Sequence, residues 1–314
     1  MHIAILGGSS QIAKDLARSF SVQGGHFLSI YARRPEIVRD WLRGSAGAHF
    51  SVEVFEEFAQ TKIKFDAVIN FVGAGNPMRV MSMGAEIFSV TGEFDQLALN
   101  YITRNPGCRY IFASSGAVYG ADFSKPVTSA SHAVVPINNL PTSSWYGVAK
   151  LYAECRHRAL SNYPIVDVRF FNYFSSTQDI NDRFLVTDAL RAAKEGVKFK
   201  TSAENSVRDY MGPEEVHSLI CGVLNAGPVN IAIDSYTKNP VNKFQMLEAL
   251  REKFGLVYEV DDGTMLLNAT GAKTNYFSEN HIAHEAFGYV PQRSALEVVL
   301  CEAEEFLSSG LLKS

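Results

Sequence analysis

Short apolar runs and helical patterns alternate through the first half of the chain, the signature of βαβ units on a parallel sheet. Residues 2–6 (His-Ile-Ala-Ile-Leu) read as a buried strand. A helix follows over 11–22, with Ile12, Leu16 and Phe20 on one face at i, i+4 and i+8, and Gly24-Gly25 ends it. Residues 26–31 give a second strand, and Pro35 opens a second helix at a position that proline tolerates. Residues 50–55 form a weaker third strand, 67–72 a strong fourth, 109–113 a fifth and 165–171 a sixth, with helices predicted over 87–104 and 145–160. Beyond residue 172 continuous apolar runs thin out, and 182–195 and 243–254 are the clearest helices. The expected fold is α/β: a doubly wound parallel sheet in residues 1–172, with a smaller, interleaved α/β part in 173–314 and some exchange between them.

Composition adds exclusions. The chain has 314 residues, 46% of them apolar and 20% charged, enough to bury a full core without disulfides or a structural metal. A net charge of −4 argues against a nucleic-acid partner, which needs a basic surface. Cys108, Cys155, Cys221 and Cys301 are far apart and lack C-x-x-C spacing, so they read as buried or inert thiols in a reducing compartment. His281 and His284 have no carboxylate or third ligand beside them and read as surface or capping histidines, so no metal is expected. The N-terminal apolar run is too short for a signal peptide, and no apolar stretch reaches the ~18 residues of a membrane span. A cytoplasmic protein without a membrane partner is expected.

Gly7-Gly8-Ser9-Ser10-Gln11-Ile12-Ala13 lies between the first strand and the first helix, where a dinucleotide-binding turn belongs. A helix N-terminus there offers free N–H groups to a pyrophosphate. The third small position is Ala13; the second glycine is replaced by Ser10, whose hydroxyl either donates to phosphate or caps the helix. Gly7, Ser9, Ser10, Gln11 and Ile12 are the candidate cofactor residues of this turn, joined by Phe71 and Ser114 at the ends of later strands. An NAD site places Asp or Glu about 20 residues past the glycines to hold the ribose hydroxyls. No acid stands between Asp15 and Glu36; Arg33 and Arg34 do, which suits the 2′-phosphate of NADP, with NAD as the alternative. The domain is read as a Rossmann-type one.

Ser114-Ser115-Gly116-Ala117-Val118-Tyr119-Gly120 follows the fifth strand, and Tyr146-Gly147-Val148-Ala149-Lys150 opens a predicted helix. Tyrosine and lysine at i, i+4 share a helix face, so the Lys150 ammonium is expected to lower the Tyr146 pKa. A tuned tyrosine moves a proton while a nicotinamide moves a hydride. Ser115, at a strand's carboxyl end, is placed to hydrogen-bond the reacting oxygen, giving a Ser115–Tyr146–Lys150 catalytic set.

In this order and spacing, these segments resemble the extended short-chain dehydrogenase/reductase superfamily, the NAD(P)-dependent nucleotide-sugar epimerases, dehydratases and reductases. The resemblance covers nearly the whole chain. Val168-Arg169-Phe170-Phe171-Asn172 resembles the family's R-x-F-N segment, implying a substrate diphosphate contact at Asn172. Ser206-Val207-Arg208-Asp209-Tyr210 resembles its R-D-Y/F segment, implying an arginine clamp on the diphosphate at Arg208. Gly288-Tyr289-Val290-Pro291-Gln292-Arg293 resembles its G-W-x-P segment, with Arg293 as a further phosphate candidate. The loops 76–84 and 175–183 are expected to shape the sugar and base pockets. Family members pair through two helices, here 87–104 and 145–160, so a homodimer is implied.

Departures narrow the chemistry. The family's 4,6-dehydratases carry an Asp-Glu pair where this chain has Gly116 and Ala117, which are neither acid nor base. The 3,5-epimerising reductases need a Cys–His pair, and no cysteine lies near Ser115. Reduction of a nucleotide-linked 4-keto-(6-deoxy)hexose by exchangeable NADPH is favoured by Arg33 and Arg34. Reversible 4-epimerisation with retained NAD is favoured by the Ser-Gly-Ala-Val-Tyr-Gly run. A non-catalytic binding protein on the same fold is the third reading.

Overall fold

The alternation of strand and helix appears as the apolar pattern predicts, and its last strand comes from an unexpected place. The protein is seen as a computed structural model that describes residues 1–43, 49–73, 77–261 and 273–309. The first half runs β1 (His2–Leu6), α1 (Gln11–Gln23), β2 (Phe27–Tyr31), α2 (Pro35–Leu42), β3 (His49–Glu53), α3 (Phe55–Gln60) and β4 (Ala67–Asn70). It continues with α4 (Pro77–Met83), α5 (Glu86–Arg104), β5 (Arg109–Ser115), α6 (Trp145–Ala159) and β6 (Ile165–Phe170). The second half runs β7 (Asn172–Tyr173), α7 (Leu185–Glu195), β8 (Phe199–Thr201), β9 (Val207–Arg208), β10 (Tyr210–Met211) and α8 (Pro213–Asn225). It closes with β11 (Ile231–Asp234), β12 (Val241–Asn242), α9 (Lys243–Phe254), β13 (Tyr258–Val260), β14 (Asn275–Tyr276), α10 (Ile282–Phe287) and α11 (Ala295–Ser309).

Among the described residues the main sheet has seven strands in the order β11-β6-β5-β4-β1-β2-β3, with parallel pairings throughout. This is the doubly wound, Rossmann-like sheet. Both faces are covered, so its strands read as continuous apolar runs rather than alternating ones. In β1, Ile3 and Ile5 enter the core beneath α1 and α8, while Ala4 and Leu6 enter the one beneath α5 and α6. A separate cluster built from α7, α9 and α11 fills the C-terminal part, with Leu190, Leu247, Leu250 and Val299 at its centre.

Several boundaries shift for local reasons. The strand expected at 67–72 stops at Asn70, whose side-chain oxygen accepts from the Val72 N–H at 2.9 Å and turns the chain. The one expected at 50–55 ends at Glu53, because Phe55 opens α3. The fifth strand runs on to Ser115, where Ser114 and Ser115 pair with Arg169 and Phe170. The helix expected from 182 begins at Leu185, since Thr187 Oγ1 reaches back to the Asp182 carbonyl at 2.5 Å. Residues 213–234 return from the C-terminal part to the sheet: α8 packs on α1, and β11 adds a strand beside β6. Of the cysteines, Cys108 is buried, but Cys155 and Cys301 are exposed on α6 and α11, because both fall on helix faces turned to solvent. No helix of the described residues is long and apolar enough to cross a membrane.

A buried charge cluster fixes α5 and α6 to the sheet. His157 on α6 is 0% exposed, its Nε2 2.7 Å from Asp95 on α5 and its Nδ1 2.5 Å from Asp167 on β6. Arg156 and Arg158 pair with the same two carboxylates at 2.8 and 2.7 Å. Burial pulls the His157 pKa down, but hydrogen bonds to Asp167 and Asp95 outweigh it and raise it from 6.5 to about 9. A raised folded-state pKa means stability that is full below the unfolded value and lost as pH rises through the folded one. The expected result is a contribution on the order of 3 kcal/mol that disappears between about pH 6.5 and 9. Thermal melts of wild type and His157→Gln across this range check it: the gap between them should close as pH rises, and a gap independent of pH would contradict it.

Candidate active site

The first βα turn is built from contacts that forbid side chains. Gly7 has φ +81°, and a Cβ there would lie 2.8 Å from the Phe71 carbonyl carbon and the Val72 nitrogen. A Cβ on Gly8 would lie 2.2 Å from Ile30. Both N–H groups donate to the Tyr31 carbonyl at the end of β2, at 2.9 and 3.0 Å. Ser10 is the N-cap of α1: its Oγ accepts from the Ala13 N–H at 3.2 Å. The serine at the second glycine position is thus a helix cap, and Ser9 is exposed at the tip of the turn. First-turn N–H groups lack intrahelical partners, so this turn keeps the backbone donors of an anion site. These features fit a dinucleotide pyrophosphate.

Some expected cofactor contacts have other partners. The Gln11 amide donates to Asp15 at 3.0 Å, to Ser175 at 3.2 Å and to Thr177. Asp15 also accepts from Tyr173 and Thr177, so this cluster ties α1 to the segment after β7 and leaves Gln11 only its backbone for a phosphate. Ile12 is half-buried against the core. Phe71 extends the β4–β1 ladder by donating to the Leu6 carbonyl, and its ring is buried, so it borders the turn with its main chain. Ser114 was expected on the cofactor; instead its Oγ donates to Glu154 at 2.5 Å, because the strand runs on and turns that hydroxyl towards α6. After β2 come buried Ala32 and then Arg33 and Arg34, both exposed and without an ion-pair partner among the described residues.

Ser115 ends β5 and accepts from the Ala117 N–H at 3.2 Å, opening a 3-10 turn over Gly116–Tyr119. Helix α6 lies close against this turn: a Cβ on Gly147 would sit 2.3 Å from the Ala117 carbonyl oxygen. That approach sets Tyr146 beside Ser115. Lys150 is 2% exposed; its ammonium donates to the Ala113 carbonyl at 2.7 Å and lies 4.3 Å from the Phe112 ring centroid. Burial lowers its pKa to about 8, against the pull of Asp95, Asp167 and Glu154.

The expected depression of Tyr146 by Lys150 is not what the fold produces. The ammonium sits 5.9 Å from the Tyr146 ring centroid, held by a main-chain oxygen, and burial raises the phenol's pKa while the Ser115 hydroxyl pulls it down.

Behind these groups is a buried ion-pair chain. Arg169 on β6 grips Glu154 of α6 through Nε (3.0 Å) and Nη2 (2.6 Å), and Nη1 donates to Tyr119 at 2.6 Å. Tyr119 donates to Asp234 of β11, which also accepts from Ser278 at 2.7 Å.

Of the expected substrate contacts, Asn172 and Arg208 lie around Tyr276. The Asn172 amide donates to the Asp209 and Tyr276 carbonyls at 3.1 and 3.5 Å. Arg208 donates to the Val207 and Thr274 carbonyls and meets no carboxylate among the described residues, since Asp209 turns away to accept from Thr237. Arg293 is a correction: Nε and Nη2 grip Glu215 at 2.8 and 2.9 Å, with Glu214 at 3.1 Å, so its charge is matched within the protein rather than offered to a phosphate. The loop 76–84 begins at Asn76, outside the described residues.

Two site residues carried no sequence signal. Tyr276, 161 positions from Ser115, brings its hydroxyl 3.4 Å from the serine Oγ. Lys273 lies over the rings of Phe123 and Tyr276. Only the return of β14 to β9 places them there.

With this geometry in view, the family model for the NAD dependent epimerase/dehydratase family matches residues 3–233. No curated protein matches the chain significantly. Solved structures do. UDP-glucose 4-epimerase of Thermotoga maritima, seen with UDP-glucose, has a TM-score of 0.80 at 17% identity and covers 99% of this chain and 100% of its own. dTDP-glucose 4,6-dehydratase of Bacillus anthracis, seen with NAD, gives 0.78 at 15%, covering 99% and 98%. An epimerase of Methanothermobacter thermautotrophicus gives 0.80 at 19%, covering 99% and 93%.

Removing one partner from a buried ion pair costs about 3–5 kcal/mol, because the other charge is left unpaired. Arg169→Met should therefore lower the melting temperature by ten degrees or so, roughly the shift such a loss produces at this chain length. A shift under about two degrees in a thermal melt would show that Arg169 does not hold this wall.

Proposed function

The chain belongs to the NAD dependent epimerase/dehydratase family, and from that premise we propose that it reduces a nucleotide-linked 4-keto-hexose at C4, with NADPH as cofactor and Tyr146 as proton donor. The observation that carries this reading is the end of β2. Ala32 stands where an acid would hold a ribose, and Arg33 and Arg34 follow, exposed and unpaired among the described residues. They come just after the carbonyl that anchors both glycines of the turn, which is the position for a 2′-phosphate.

The nicotinamide, when bound, supplies the hydride. Ser115 hydrogen-bonds the C4 oxygen, and Tyr146, kept protonated by burial, gives that oxygen its proton. Lys150 keeps a positive charge beside the phenolate this leaves. Asn172 and Arg208 take the diphosphate side of the substrate. Gly116 and Ala117 offer no acid or base for dehydration. A homodimer through α5 and α6 is part of the reading; these helices expose Phe88 and Tyr152.

The second reading is a 4-epimerase with retained NAD. It is favoured by the Ser115–Gly120 sequence and by the likeness to solved 4-epimerases, one of them seen with UDP-glucose.

Fluorescence titration with NADPH and NADH, after assaying purified protein for carried-over nicotinamide, separates the readings. Tight NADPH and weak NADH binding is expected, with the double variant Arg33→Ala/Arg34→Ala losing about tenfold or more for NADPH and little for NADH. Copurified NAD would replace the reductase with the epimerase, and binding of neither cofactor would leave a non-catalytic binding protein. Tyr146→Phe should retain NADPH binding and lose at least ~100-fold in kcat; near-normal turnover would remove Tyr146 from the proton transfer.

A further inference from the structure

Asp15 lies one turn into α1 and is 3% exposed, yet it forms no salt bridge among the described residues. Its carboxylate is held by neutral donors from two directions. From its own helix comes the Gln11 amide, at 3.0 Å. From the segment 172–177 come the hydroxyls of Tyr173, at 2.7 Å, and Thr177, at 2.6 Å. Gln11 also donates to Ser175 at 3.2 Å and to Thr177, so both side chains of this turn face the same segment.

The two pieces of chain serve different ligands. Gln11 is the first residue of α1, whose first-turn N–H groups are the anion donors at the glycine turn. The segment starts at Asn172, assigned above to the diphosphate side of the substrate. Asn172 pairs with Tyr210, two residues after Arg208. The segment is also stitched to the C-terminal part: the Ser176 N–H donates to Glu302 of α11 at 2.8 Å, and its Oγ to Glu305 at 3.0 Å.

A carboxylate taken out of water is costly unless its hydrogen bonds compensate. Pulling residues 173–177 away from α1 would strip Asp15 of both hydroxyl donors, so the start of the helix and this segment settle together. An anion on the first turn of α1 orders the helix start, and with it the segment that carries Asn172. A ligand on Asn172 does the same in reverse.

We propose that Asp15 is a positioning residue that couples the two binding sites, so that the nicotinamide cofactor and the nucleotide sugar each bind more tightly when the other is present. It acts through Gln11 on one side and through Tyr173 and Thr177 on the other. This rests on the reading of the substrate as a nucleotide sugar.

Calorimetric titration of the full chain, freed of carried-over nicotinamide, with the diphosphates of uridine, thymidine, guanosine and cytidine tests this. Each titration is run with and without saturating NADPH (or NADH, where that binds more tightly). Wild type should bind one diphosphate about fivefold or more tighter with the cofactor present. Asp15→Asn and Thr177→Val should each bring that factor below about twofold, while binding the cofactor alone within about threefold of wild type. Thr177 is half-buried, so its variant decides the matter should Asp15→Asn fail to fold. Glu302→Ala loosens the same segment from α11 with Asp15 intact and should keep the factor, whereas a merely structural role for Asp15 would make all three variants behave alike. A factor near one in wild type overturns the coupling and leaves the proposed function standing. So does a factor unchanged in Asp15→Asn and Thr177→Val, or lost equally in Glu302→Ala. Wild type that binds none of the four diphosphates in either state overturns the nucleotide-sugar reading, and this inference with it.

Discussion

The active-site wall depends on Arg169. It stands on β6, one strand in from the edge, with Ser114 of β5 paired on one side and Asp234 of β11 on the other. From there it grips Glu154 of α6 and reaches Tyr119 and Asp234. Several residues around the site are near neighbours in sequence of groups in this network. Ser115 follows Ser114, Lys150 lies one turn before Glu154, and Tyr276 lies two residues before Ser278, which donates to Asp234. The pair is buried, so its value lies less in net stability than in the cost of leaving Glu154 or Asp234 without a cation. That cost specifies one arrangement of α6 against the sheet, and hence one placement of Tyr146.

The same logic sorts the cations by use. Where a buried or half-buried cation has a carboxylate, as at Arg169, Arg293 and His157, the charge is spent inside the fold and holds elements together. Arg33 and Arg34 lie exposed at the glycine turn, while Arg208 is half-buried and Lys273 buried beside Tyr276, all without carboxylates among the described residues. The first pair follows the carbonyl that anchors the glycine turn, and the second lies against Tyr276, whose hydroxyl is 3.4 Å from Ser115 Oγ.

Much of this was legible in the sequence because it is local. The apolar runs give β1 to β6 with ends off by about two residues or less, and the i, i+4 spacing brings Tyr146 and Lys150 to one turn of α6. What failed to show is long-range. Ile231–Asp234 is a four-residue run after a loop, and only its register against Val166–Arg169 makes it the seventh strand of the sheet. Tyr276 and Lys273 have no motif and reach the site through the β14–β9 pairing. Arg293 sits in a family-like segment, yet its partner is Glu215, a residue that sequence spacing could not single out. Ser114 misled for a smaller reason: two more residues of strand than expected turned its hydroxyl towards Glu154.

Lys150 shows how a correct local reading still gives a wrong electrostatic one. Helical spacing puts it on the Tyr146 face, but the ammonium is held by the Ala113 carbonyl, 5.9 Å from the tyrosine ring centroid. Opposite unit charges about 4 Å apart attract by about 4 kcal/mol at an effective dielectric near 20. The interaction exists only after the phenol has ionised. The resting phenol is therefore protonated, with burial raising its pKa, and the cation stabilises what it becomes rather than what it is. A reaction that opens with proton donation starts from this resting state. A reaction that opens by removing a proton from a C4 hydroxyl uses the same pair from the phenolate side, where the Lys150 cation stabilises it. The pair of side chains thus serves proton transfer in either direction, and Arg33 and Arg34 concern the other end of the cofactor.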